Sequence, residues 1–198
     1  MPHKNEQYHI NNATSVLKEG GIIALPTDTV YGLAADAFNE VAVEKISLLK
    51  KRENTKNYVL QIDSINKLTQ LVDEVNNLTK GILENYWPGE ITFIFKTNPN
   101  LKLSYIQETI AIRIPNNPLT LALLKEYPNP LVVTSLNYSG QPPITTFSDI
   151  PDSLRNELDY AIPFNEALSG LSSTIVDLTK TPPTLLRQGK VKFQINLH

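Results

Sequence analysis

Short apolar runs and longer amphipathic stretches alternate along this chain. Runs of strand length, rich in β-branched residues, predict strands over residues 22–25, 57–62, 91–95, 109–114, 131–133 and 175–178. Helical spacing predicts helices over residues 39–51, 65–72, 75–87, 119–124 and 152–158. Asn11 or Asn12 is expected to cap a short helix that ends at a glycine pair, and residues 185–189 to form a closing hairpin with Val191 and Phe193. The pattern predicts an α/β fold with a twisted, open, mixed sheet of parallel and antiparallel strands and flanking helices.

A polar loop follows the first predicted strand. Residues 22–25 run into a proline, and residues 27–31 then carry two threonines, an aspartate and a tyrosine before Gly32. In open α/β sheets, ligands bind at such strand ends. A capped turn, in which Thr27 and Asp28 bond their own backbone, is the alternative. The pattern by itself leaves both interpretations open.

Two further hydroxyl-rich segments adjoin predicted strands. Ser135 and Asn137 follow the run 131–133, and residues 172–174 precede the run 175–178. Residues two apart in an extended segment point to the same side, so Ser135 and Asn137 can address one ligand while Leu136 packs behind them. A structural turn is the alternative interpretation of this segment.

Positive charge is concentrated after the second predicted helix. Residues 50–56 hold four cations (Lys50, Lys51, Arg52 and Lys56) against the single anion Glu53, a local charge of +3 in a chain of net charge −2. Cations at the carboxyl end of a helix interact favourably with the helix dipole. A solvated helix end therefore explains this cluster as well as an anion-binding site does.

Arg113 is a separate positively charged position within the apolar run 109–114. A buried arginine needs an anionic partner, whereas an arginine on an edge strand can face water. Both placements fit the sequence.

Composition excludes several classes of chemistry. The 198 residues fit one domain, predicted to span 1–198, and the chain has no cysteine. Its three histidines lie near the termini, so disulfides, thiolate chemistry, a histidine triad and a zinc site inside the fold are not expected. The net charge gives no general attraction to nucleic acid. No apolar run approaches membrane-spanning length and no signal core is present, which favours a soluble, cytoplasmic protein.

The remaining polar groups are suited to binding phosphates. Both standard glycine-rich nucleotide motifs are missing, yet fixed cations and strand-end hydroxyls can orient and neutralise a polyphosphate. Phosphoryl and nucleotidyl transfer need little more than positioning and charge stabilisation.

An ordered set of short motifs resembles the YrdC-like family, whose members act as L-threonylcarbamoyladenylate synthases in tRNA modification. The resemblance covers about residues 12–190 and follows the short single-domain form. The motifs are Pro26-Thr27-Asp28-Thr29-Val30-Tyr31-Gly32-Leu33, Lys50-x-Arg52, Trp87-Pro88-Gly89, Arg113-Ile114-Pro115, Ser135-x-Asn137-x-Ser139-Gly140, Ser173-Thr174 and Arg187-x-Gly189.

This resemblance implies a twisted open sheet around a basic cavity. It also implies formation of threonylcarbamoyl-AMP and pyrophosphate from L-threonine, bicarbonate and ATP, with Mg²⁺ accompanying ATP and no metal held by protein side chains. A separate threonylcarbamoyl transferase complex would then use the product to modify ANN-decoding tRNAs, and a weak contact with tRNA is part of the expectation.

The resemblance also assigns roles to individual residues. Those expected near threonine are Thr29, Arg113 and Ser173. Those expected near the nucleotide are Arg52, Lys56, Thr109, Ser135, Asn137, Thr145 and Arg187, with Lys50 and Arg52 as the catalytic cations. The chain departs from common family residues at Glu53, Asn57, Gln61 and Leu136.

Two other functions belong to different classes. An RNA-binding module of the same fold would bind without catalysis, but the chain has no long basic stripe interleaved with aromatic residues. A carbamoyl phosphate-dependent enzyme, as in hydrogenase maturation proteins with a similar domain, would be longer and contain cysteine.

Overall fold

The computed structural model describes residues 4–50 and 58–194. Within these ranges the helices are α1 (Lys4–Lys18), α2 (Glu40–Leu49), α3 (Asn77–Tyr86), α4 (Pro118–Glu126) and α5 (Asp152–Arg155), with a 3₁₀ helix at Ile65–Gln70. The strands are β1 (Ile23–Pro26), β2 (Tyr31–Asp36), β3 (Val59–Gln61), β4 (Ile91–Lys96), β5 (Thr109–Arg113), β6 (Leu131–Ser135), β7 (Tyr160–Ala161), β8 (Thr174–Asp177) and β9 (Thr184–Arg187).

The strands of the described chain form one sheet in the order β7-β1-β2-β6-β3-β5-β4-β8-β9. The pairs β1–β7, β3–β5 and β4–β8 are parallel, and the other neighbouring pairs are antiparallel. The prediction of an open, mixed α/β sheet is therefore confirmed.

Side chains alternate between two layers across this sheet. In β1, Ala24 belongs to one apolar cluster while Ile23 and Leu25 belong to another, so the two clusters lie on opposite faces. The second cluster is the smaller one, in which α1 and α4 pack through Leu17 and Leu123 against β1, β2 and β6. It therefore occupies one half of its face of the sheet.

The rest of that face is lined by side chains of β3, β4, β5 and β8. Residues paired in register share a face, and the pairs here include Gln61 with Arg113 and Thr92 with Ile175. These four residues border a cavity rather than an apolar layer. The fold thus places polar groups on the half of the sheet that α1 and α4 do not cover.

One prediction near the amino terminus is corrected and another is confirmed. Asn11 and Asn12 lie within helix α1 (Lys4–Lys18) and do not cap it, because Ile10 lies on the same buried helix face as Ala13 and Leu17. Helix α2 does begin where predicted, with Asn39 accepting a hydrogen bond from the backbone N–H of Ala42.

The predicted loop after Pro26 is also shorter than expected. Tyr31 and Gly32 begin strand β2, which pairs with β1 in a tight hairpin. All six β2 residues are buried, so the strand shows no alternation of polar and apolar residues. A Cβ at Gly32 would lie 2.6 Å from Cγ1 of Val133, so glycine here allows close packing of strands.

At the carboxyl end, β9 pairs with β8 and not with Val191 or Phe193 as predicted. Phe193 instead packs against the rings of Tyr86 and Phe93. The backbone oxygen of Val191 accepts a hydrogen bond from Oγ1 of Thr174 at 2.6 Å. This segment therefore closes the apolar core instead of adding a strand.

Candidate functional site

A cavity of about 280 Å³ lies over the half of the sheet that α1 and α4 leave uncovered. Its lining is mainly polar and includes a few aliphatic side chains. The polar lining residues include Thr27, Thr29, Tyr58, Gln61, Thr92, Arg113, Thr134, Ser135, Ser172, Ser173 and Arg187, and the aliphatic ones are Val30, Val59, Val133 and Ile175. A larger groove of about 710 Å³ lies elsewhere, beside Lys45, Leu48 and Tyr138, and holds none of these groups.

The β1–β2 turn is both a capped turn and part of the cavity wall. Oγ1 of Thr27 accepts hydrogen bonds from the backbone N–H groups of Thr29 and Val30 at 3.1 and 3.2 Å. Thr27 and Thr29 nevertheless line the cavity, and their hydroxyl oxygens lie 2.9 Å apart. Asp28 points elsewhere, to Arg113 and to the backbone N–H of Asn116. The capped turn is therefore formed by Thr27 and not by Asp28, and ligand binding at this strand end stays a prediction.

Arg113 is buried and has the anionic partner expected of a buried arginine. Its guanidinium forms an ion pair with the carboxylate of Asp28. Its Nε donates a hydrogen bond to the backbone oxygen of Gly89 at 3.0 Å. Nη1 donates to Oγ1 of Thr29 at 3.3 Å. Strand β5 lies between β3 and β4, so the edge-strand placement was wrong. Burial lowers the pKa of Arg113, and the charge and hydrogen bond of Asp28 oppose this shift.

Arg187 supplies a second guanidinium to the same cavity. Its Nε donates to the backbone oxygen of Ser173 at 3.0 Å, and Nη2 donates to Oγ of Ser173 at 3.1 Å. Ser173 also lies 3.0 Å from the hydroxyl of Thr92. Burial lowers the pKa of Arg187, and so does the positive charge of Arg113. Two mutually repelling cations in one small cavity favour an anionic ligand between them.

Gly189 allows Arg187 to approach Ser173 this closely. A Cβ at Gly189 would lie 2.2 Å from the backbone oxygen of Ser172 and 2.5 Å from the backbone nitrogen of Thr174. The N–H of Gly189 donates to Oγ1 of Thr174 at 3.0 Å. The Arg187-x-Gly189 motif therefore works as a unit, in which the glycine lets the chain press against the loop that holds Ser173.

Gly189→Ala is expected to lower the free energy of unfolding by about 1–3 kcal/mol. The new methyl group would clash with backbone atoms, which cannot move away by a change of side-chain rotamer. Gly81→Ala is the matched control, since nothing lies within 4 Å of a Cβ there. In the interior of α3, that change should raise stability by about 0.5–1 kcal/mol. Urea denaturation of both variants checks this, and equal stability of the two would contradict the packing argument.

Lys50, Ser135 and Asn137 form a connected cluster beside the cavity. The ammonium of Lys50 donates to the backbone oxygen of Ser135 at 2.6 Å and to Oδ1 of Asn137. Oγ of Ser135 donates to Oδ1 of Asn137 at 2.7 Å. Leu136 is fully buried, so Ser135 and Asn137 do lie together with Leu136 packed behind them, as the alternation predicted. Ser135 alone among the three lines the cavity itself.

The other predicted site residues divide into two groups. Thr109 begins β5 and pairs with Lys96, so it lies at the opposite end of that strand from Arg113 and outside the cavity lining. Thr145 bonds Leu168 through its backbone and does not line the cavity. Arg52, Lys56 and the departures Glu53 and Asn57 lie outside the described residues.

Several contributors to the site were not identified from the sequence, among them Thr92, Gln61 and Asp28. Thr92 interrupts the apolar run of β4, a signal that alternation could have shown. Gln61 was noted only as a departure, although it is buried and lines the cavity. Asp28 was considered only as a turn residue, and no local pattern identifies its pairing with Arg113, 85 residues away.

Within residues 4–50 and 58–194, no group of three or more histidine, aspartate, glutamate or cysteine side chains is placed to bind a metal ion. None of the helices within the described ranges is long and apolar enough to cross a membrane.

Known proteins resemble this chain in sequence and in structure. The Pyrococcus abyssi threonylcarbamoyl-AMP synthase is 31% identical over 192 residues, which are 96% of this chain and 56% of that protein. The Escherichia coli protein YciO, which is uncharacterized, is 31% identical over 194 residues, or 95% of this chain and 92% of YciO. The structure of P. abyssi Sua5 complexed with L-threonine superposes with a TM-score of 0.87 at 29% identity, over 96% of this chain and 56% of that one.

The chain thus spans about half the length of the archaeal synthase and nearly all of YciO. The sequence model of the Sua5, YciO and YrdC proteins, described as telomere recombination, matches residues 15–189. That match includes every strand of the described sheet and both arginines of the cavity. This chain belongs to the Sua5/YciO/YrdC family.

Proposed function

We propose that this protein is a threonylcarbamoyl-AMP synthase. The observation that carries the proposal is the cavity of about 280 Å³ in which Arg113 and Arg187 face a ring of hydroxyl groups. Two guanidiniums suit a carboxylate. The hydroxyls of Thr29 and Ser173 suit a ligand hydroxyl, and Val133 with its aliphatic neighbours suits a methyl group. L-threonine carries all three groups.

The residue set fits chemistry that uses no nucleophilic side chain. The threonine amine and bicarbonate form a carbamate with loss of water, and a carbamate oxygen then attacks the α-phosphate of ATP. The bond from the α-phosphorus to the bridging oxygen breaks, and pyrophosphate leaves with the Mg²⁺ that entered with ATP. The protein must hold three anionic partners together, for which fixed cations and hydroxyls are sufficient.

Two groups of residues would bind the two substrates. Arg113, Thr29 and Ser173 would hold threonine, because all three are buried and line the cavity. Ser135 borders the cavity and connects to Asn137 and Lys50, so the nucleotide would lie along this cluster, with Arg187 between the two substrates. Arg52, Lys56, Thr109 and Thr145 remain sequence-based assignments to the nucleotide. A transferase complex acting on tRNA would consume the product.

The test mixes the protein with ATP, Mg²⁺, bicarbonate and L-threonine, and measures pyrophosphate together with the mass of the adenylate product. Release is expected only when threonine and bicarbonate are both present. D-threonine is the matched control, since it offers the same groups in the wrong arrangement. Equal pyrophosphate release without threonine would contradict the proposal and indicate a general ATP pyrophosphatase.

A steep salt dependence of tRNA binding without pyrophosphate release would instead support the RNA-binding alternative.

A further inference from the structure

The buried carboxylate of Asp28 lies immediately behind the cavity wall. It accepts from the guanidinium of Arg113 through Oδ1, and from the backbone N–H of Asn116 through Oδ2 at 3.0 Å. Its side chain is 8% exposed and that of Arg113 is 5% exposed. Asp28 is not among the residues that line the cavity, so it contacts the guanidinium from the protein side.

Three groups accept hydrogen bonds from the guanidinium of Arg113. Gly89 accepts from Nε, Thr29 from Nη1 and Asp28 from Nη2. A guanidinium has five N–H groups in a rigid plane, so these three contacts fix the plane and leave two N–H groups without an acceptor among the described residues. One of these N–H groups is on Nη1 and the other on Nη2, and Arg113 lines the cavity, so both are available to a ligand there.

We propose that Asp28 is a positioning residue that holds the Arg113 guanidinium so that its two remaining N–H groups can bind the carboxylate of the amino-acid substrate. This inference rests on the proposed function and deepens it. Asp28 also offsets the charge of Arg113, which allows a guanidinium to remain buried before substrate binds. Gly89 and Thr29 are neutral acceptors, so Asp28 makes the strongest of the three contacts.

Asp28→Asn separates this role from a purely structural one. The amide cannot accept from both Arg113 and the N–H of Asn116 as the carboxylate does, so the guanidinium loses its fixed plane. The KM for threonine is expected to rise at least about tenfold, while the KM for ATP changes by less than about twofold.

Asp36→Asn is the matched control. Asp36 is another buried carboxylate that accepts from a backbone N–H, that of Phe38 at 2.8 Å, and from a side chain, the hydroxyl of Tyr127. Its replacement should lower the melting temperature and leave the KM for threonine unchanged. If Asp28→Asn behaves in the same way, Asp28 only holds the β1–β2 turn and the proposal is overturned.

A second measurement needs no activity. The chain has four arginines, so the Nε–H signal of Arg113 can be assigned from a spectrum of ¹⁵N-labelled Arg113→Lys protein. Hydrogen exchange of this group is expected to be at least about tenfold faster in Asp28→Asn, and unchanged in Asp36→Asn. An unchanged rate in Asp28→Asn overturns the proposal. Lack of threonine-dependent turnover in the wild-type protein overturns the proposed function instead, and the exchange rate still decides on Asp28.

Discussion

Arg113→Met is expected to abolish threonine-dependent pyrophosphate release and to lower the free energy of unfolding by about 3–5 kcal/mol. Activity is lost because Arg113 is the most firmly fixed cation of the cavity, held by Asp28, Gly89 and Thr29. Stability is lost because the carboxylate of Asp28 stays buried without its counter-charge. Steady-state kinetics and urea denaturation measure the two effects separately.

The double variant Arg113→Met/Asp28→Asn distinguishes loss of the site from loss of the fold. Removing both charges should recover part of the stability, since no unpaired ion remains, while activity stays absent. Recovery of activity together with stability would show that Arg113 serves the fold alone. Arg155→Met is a suitable control for the loss of one arginine, because Arg155 contacts the backbone and ring of Phe147 away from the cavity.

The second large effect concerns two adjacent residues on opposite sides of the chain. Asn137→Ala is expected to weaken ATP binding or turnover by about 1–3 kcal/mol, because it removes an acceptor shared by Lys50 and Ser135. Leu136→Ala is expected to cost about 2–5 kcal/mol of stability, since Leu136 is fully buried in the larger apolar cluster. ATP affinity by calorimetry beside urea denaturation of each variant checks both.

Comparison of the Asn137→Ala and Leu136→Ala variants separates a role in ATP binding from a role in stability. Leu136→Ala should bind ATP almost normally under conditions where it remains folded, because its side chain points away from Ser135 and Asn137. If Asn137→Ala binds ATP normally and unfolds early, the segment is a structural turn and the nucleotide assignment fails.

Much of the sheet was predictable because its strands carry local signals. Runs such as residues 131–133 are continuously apolar and end in polar groups, so both the strand and the candidate residue Ser135 could be recognised. The buried placement of Arg113 was one of two readings, and its apolar neighbours were the reason to consider it. For this strand and for Arg113, the pattern of neighbouring residues was sufficient to indicate the structure.

Strand β2 and the partners of the cations were not predictable for a different reason. Gly32 is typical of a loop, and only its close approach to Val133, about a hundred residues further along the chain, makes it a strand residue. The contacts of Lys50 with the Ser135 segment span 85 residues. Pairings of this kind depend on the strand order, which periodicity does not contain.

The strand order also gives the two guanidiniums of the cavity different mechanical support. Arg113 extends from an interior strand, whereas Arg187 belongs to β9, an edge strand whose four residues are all exposed. Edge segments open locally at a lower free energy than the interior of a sheet. A ligand that binds both cations therefore connects the edge strand β9 to the interior strand β5. The backbone amides of β9 should gain protection against hydrogen exchange as the ligand saturates its site.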